Sequence, residues 1–164
     1  MGFACLLSLV FPVAGLVVML VLSPEEGFDP DTGYLGWFIA GGVAQGVAAL
    51  MFLRPKPSGW RSGWFLLWVA SVAYMGAYAD VWLQHKPVAQ KIVDFGRAGD
   101  LEAVARLMVQ ESGFNLLEWT FAVLFVTAFF TIAAFVTKEA RAVYGLEDRD
   151  VEDPLAFKAH YGIQ

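Results

Sequence analysis

Hydrophobic positions along this chain gather into four runs, residues 3–23, 36–53, 64–83 and 115–137, and polar residues collect almost entirely between them. Each run approaches or meets the roughly twenty residues a helix needs to cross a bilayer core. In hydrocarbon every backbone N–H and C=O must find its partner inside the segment, so such runs are predicted to be helices. The pattern therefore predicts an all-α, polytopic membrane protein. Its four transmembrane helices form one bundle over residues 1–144, and a cytoplasmic tail covers 145–164. The first run has no Lys or Arg before Leu9 and is long for a signal sequence, so it is read as an uncleaved helix.

The polar segments give the threading. The middle loop carries Arg54, Lys56 and Arg61 with no acid, and the tail opens with Lys138 and Arg141. The first loop holds Glu25, Glu26, Asp29 and Asp31 with no base. The positive-inside rule then places both termini in the cytoplasm, with the acidic loop outside, as in a bacterial inner membrane. Lys86, Lys91, Arg97 and Arg106 in the loop between runs three and four run against that rule.

That loop has a pattern of its own. Pro87 suits a first helical turn, and Val88, Ile92 and Phe95 share a face. Gly96 to Gly99 interrupts, and Asp100 reads as an N-cap before Leu101, Val104, Ala105 and Met108. The expectation is a short amphipathic helical hairpin lying in the membrane interface between helices three and four. Helix four is expected to run on to Tyr144 and stop at Gly145.

Composition narrows function mainly by exclusion. Charged residues make up only 16% of the chain and the formal charge is −5, which argues against nucleic acid. The lone cysteine, Cys5, rules out an internal disulfide or a cysteine-based zinc site. His85 and His160 both fall outside the runs, so no bis-histidine haem is expected between the helices. No nucleophile set or phosphate loop appears. The chain is read as non-catalytic, without cofactor or metal.

Ionisable groups inside spans are costly and become functional candidates. Asp80 near the external end of helix three and Glu118 near the same end of helix four lie at similar depth. Facing each other, they would share a cation or a proton. The competing reading makes Glu118 part of a capping box with Asn115. Gln45 at mid-depth should bond another helix or line a small wet cavity. Gly42 and Gly46 form a GxxxG pair for close helix approach. Phe157 and Tyr161 beyond the acidic stretch suit docking to a partner.

In plan, with internal termini and a GxxxG-bearing second helix, the chain resembles the small four-helix membrane subunits of tripartite solute carriers, although no family motif matches residue by residue. The leading expectation is an integral subunit of a larger transporter or respiratory complex, with other membrane subunits and the lipid bilayer as partners. The alternative is a small oligomeric carrier or channel with Asp80 and Glu118 at its external mouth.

Overall fold

A computed structural model of the chain describes residues 10–21, 31, 33–53 and 56–146. They form five helices: α1 Val10–Val21, α2 Gly33–Phe52, α3 Pro57–Ala98, α4 Leu101–Phe135 and α5 Lys138–Val143, with no strand among the described residues. Three of these, α2, α3 and α4, are long and apolar enough to cross a membrane. This corrects the expected four. The described part of the first run is a helix of twelve residues, about 18 Å at 1.5 Å per residue and short of a bilayer core. The rest of that run lies outside the described residues.

The larger correction concerns the hairpin. No break separates it from the spans. α3 continues for 42 residues through Pro87, and α4 for 35 residues through Asn115. Proline removes one helical hydrogen bond and crowds the preceding turn, but no glycine accompanies it. The half-buried positions Val81-side residues share continue instead: His85, Val88 and Ile92 follow at helical spacing on the same stripe as buried Val81. α3 is therefore about 63 Å long, roughly twice the hydrocarbon thickness. Some fourteen residues of each helix beyond the apolar runs form an antiparallel projection about 20 Å long.

Its tip is a Schellman turn. Gly99 takes a left-handed conformation (φ 77°), its N–H donates to Gly96 O, and the Asp100 N–H donates to Phe95 O. Asp100 then caps α4 by accepting from Ala103 N at 3.0 Å, as its sequence position predicts.

Within the spans, α2 presents Tyr34, Phe38, Gly41, Gln45, Ala48 and Phe52 to α3 and α4, a stripe alternating steps of three and four. Phe121 of α4 meets Tyr34 and Phe38 edge-on at 5.9 and 6.1 Å. Phe52 stacks on Phe135 at 4.0 Å. Both ends of this stack are capped: Trp60 Nε1 donates to Phe135 O, and Tyr144 Oη donates to Phe52 O at 2.6 Å. These bonds satisfy carbonyls that helix ends leave open.

α4 does not run on to Tyr144. It ends at Phe135, and Thr137 accepts from Ala140 N to start α5. The predicted stop holds, with Gly145 left-handed at φ 68°. Thr120, Thr127 and Thr131 donate to carbonyls four residues back at 2.8 Å, so they leave no polar track.

Candidate functional site

The two carboxylates of the apolar runs, Asp80 and Glu118, lie where α3 and α4 leave those runs, at the root of the projection. Asp80 and Gln84 are one helical turn apart on α3 and turn toward the start of α2. Gln84 bonds the Asp31 backbone in both directions, accepting from N at 2.8 Å and donating to O at 3.2 Å. Asp80 Oδ2 is buried without a hydrogen bond. It packs so close to Gly33 that a Cβ there would stand 2.7 Å away. Gly33 is the first residue of α2, whose N-terminal dipole is the favourable place for a carboxylate.

Glu118 engages a different residue. His85 Nδ1 lies 2.7 Å from Glu118 Oε1, and the imidazole stacks on Phe114 at 5.6 Å and 12°. A carboxylate only accepts, so Nδ1 carries the proton in this pair. His85 Nε2 is buried with no partner. The two sequence candidates thus sit at one root but hold separate partners, Asp80 at α2 and Glu118 at His85. Glu118 is not in a capping box, because Asn115 lies fourteen residues inside α4 and no helix starts there.

Sequence reasoning missed His85 as the partner of Glu118. The signal was present: with the helix continued backward from Val88 through Pro87, His85 falls on the face that packs against α4. Beside it opens a cavity of about 430 Å³ lined by Trp82, His85, Lys86, Gln90 and Glu118 among others. The Lys86 ammonium sits 5.7 Å from the centroid of the Trp82 ring, within cation–π range. Among the described residues no three His, Cys, Asp or Glu side chains come together to hold a metal ion.

Deeper in the spans, Gln45 does bond another helix. Its Oε1 accepts from Tyr74 Oη at 2.8 Å, with both residues buried. The close approach of α2 and α3 is made by Gly41, not by Gly42. A Cβ on Gly41 would meet Tyr74 Cε1 at 2.7 Å, whereas one on Gly42 meets nothing within 4 Å. Gly42 and Gly46 are half-buried beside the exposed Val43 and Val47. Phe157 and Tyr161 lie outside the described residues.

Compared with protein-family models, curated proteins and solved structures, the chain matches none.

Proposed function

We propose that this chain is a non-catalytic integral subunit of a larger membrane complex, anchored by its spans and docked to partner subunits through the projecting hairpin. One observation carries the reading. Beyond the apolar runs, where water replaces lipid, the hairpin leaves Leu101 76%, Met108 54%, Val93 46% and Val109 46% exposed. Two helices alone have no further surface against which to bury them, and an apolar surface outside the bilayer is what a partner covers.

The subunit reading includes a threading with the loop around Lys56 and Arg61 in the cytoplasm and the hairpin outside a bacterial inner membrane. The basic residues around Lys56 and Arg61 support it by the positive-inside rule. The half-open face of Gly42 and Gly46 gives a neighbouring helix room for close approach within the bilayer.

A mild-detergent purification tests the proposal. Replacing residues 89–110 with a short Gly-Ser turn should release a co-purifying protein while the spans stay folded. Gly42→Leu, Gly46→Leu or deletion after Asp153 should weaken the same association. A native chain that runs as a lone monomer would refute the subunit reading.

A second reading, an oligomeric carrier with a cation or proton at Asp80 and Glu118, draws on the buried, unbonded Asp80 Oδ2. Its test is flux from proteoliposomes, lost in Asp80→Asn.

A further inference from the structure

The cavity at the hairpin root has a depth, a charge arrangement and an opening that together specify a ligand. Depth comes first. The apolar run of α3 ends at Leu83, and Trp82 and Trp119 are 45% and 71% exposed on the outside of the bundle. Indoles held outward at the end of a span mark the headgroup level of a bilayer. The cavity begins at Trp82 and extends one to three turns outward along α3, so its inner end, with Lys86 and Glu118, lies at the level of the lipid headgroups.

The charges come next. Lys86 has no carboxylate partner among the described residues, whose ion pairs are His85 with Glu118 and Arg106 with Glu102. The residue is exposed, and its ammonium lies 5.7 Å from the centroid of the Trp82 ring. One turn around the same opening, Glu118 presents a carboxylate. Oε1 lies 2.7 Å from His85 Nδ1, and the side chain reaches the cavity, where it is part of the lining. Gln90 lines the Lys86 side, but its amide already donates to Asp94 Oδ1 at 3.2 Å, so Lys86 alone supplies the positive group there. A cation and a carboxylate flanking one opening, with an aromatic floor between water and lipid, complement a ligand carrying both charges in reverse.

We propose that this cavity binds the headgroup of an aminophospholipid, its phosphate at Lys86 and its primary ammonium at Glu118. A phosphate without an amine leaves Glu118 facing a second negative charge, which disfavours purely anionic lipids. A quaternary amine has no N–H to give Glu118. The acyl chains lie along the exposed apolar surface below Trp82. Val93 borders both this cavity and the proposed docking surface, so lipid binding is read on the chain freed of partners.

The full chain, purified in mild detergent and stripped of lipid, would be offered equal amounts of phosphatidylethanolamine and phosphatidylglycerol with identical acyl chains. Retained lipid is counted by native mass spectrometry. Phosphatidylethanolamine should be retained in several-fold excess. Lys86→Ala should lower that retention about fivefold, the scale of one lysine at a membrane surface. Glu118→Gln, which still accepts from His85, should abolish the preference between the two lipids. Lys91→Ala, outside the cavity, should change neither. Soluble phosphoethanolamine in excess should displace nothing, since it lacks acyl chains. Equal retention of the two lipids by the native chain would overturn the proposal without any variant. So would an equal loss in Lys91→Ala and Lys86→Ala, or displacement by the soluble headgroup, which would make the ligand a water-soluble one.

Discussion

Two adjacent glycines of α2 should respond in opposite ways to the same added methyl group. At Gly41 a Cβ would stand 2.7 Å from Tyr74 Cε1, 2.9 Å from Cδ1 and 3.1 Å from Cζ. The ring cannot swing away freely, because Tyr74 is fully buried and its hydroxyl is bonded to Gln45. Overpacking of this kind costs about 1–3 kcal/mol, and a hydrogen bond between membrane helices is worth about 0.6 and at most about 1.7 kcal/mol. Alanine's better helix propensity returns up to about 1 kcal/mol. Gly41→Ala should therefore destabilise the bundle by about 1–3 kcal/mol. Gly42→Ala meets nothing within 4 Å and keeps only the propensity gain. Reversible unfolding of the isolated chain in mixed detergent–SDS micelles, followed by tryptophan fluorescence, measures both. A 2 kcal/mol difference is about a thirtyfold shift in the folded-to-unfolded ratio. If Gly42→Ala were the more damaging variant, α2 would be rotated by about one residue, 100°, from the orientation described.

Three further outcomes test other parts of the structure. A nitroxide at Ala98 should sit about 20 Å beyond the hydrocarbon edge, protected from lipid-soluble oxygen and open to a water-soluble relaxant. A reading at headgroup depth would mean that the hairpin lies flat. Tyr144→Phe removes the bond to Phe52 O and should cost about 1 kcal/mol, with faster amide exchange across Lys138–Val143; unchanged exchange would show that the bond does not hold α5. Glu118→Ala leaves His85 Nδ1 without its acceptor and should cost about 1–3 kcal/mol, whereas Glu118→Gln should lose little. Equal losses would show that the His85 contact is not what Glu118 contributes to stability.

Much of this architecture could be read from residue order, and the failures have a common cause. The apolar runs marked α2, α3 and α4, and Gly99 with Asp100 marked the turn, because capping chemistry is local. Gln45 was legible as an interhelical partner since an amide at that depth has few alternatives. Pro87 misled: a proline that fits a first turn also fits a helix interior when flanking residues stay packed, and the flanks are tertiary information. The GxxxG pair left the partner of its face open. Spacing shows that small residues share a face, but the rotation of α2 about its own axis decides whether Gly41 or Gly42 meets Tyr74. Glu118 with His85 is a contact across 33 positions, which no local pattern specifies.

The continuity of α3 has a mechanical consequence. A helix that passes from bilayer to water without a joint behaves as a single stiff rod. Partway along it is pinned to the Asp31 backbone, just ahead of α2, through Gln84 and to α4 through His85. Those pins form a fulcrum. A load on the Gly99–Asp100 tip acts through an arm of about 20 Å, and the far end near Trp60 must swing in the opposite sense. That far end is tied through the Trp60 indole to the last carbonyl of α4. A sideways pull on one face of the membrane is thereby delivered as strain to the Phe52, Phe135 and Tyr144 stack on the other.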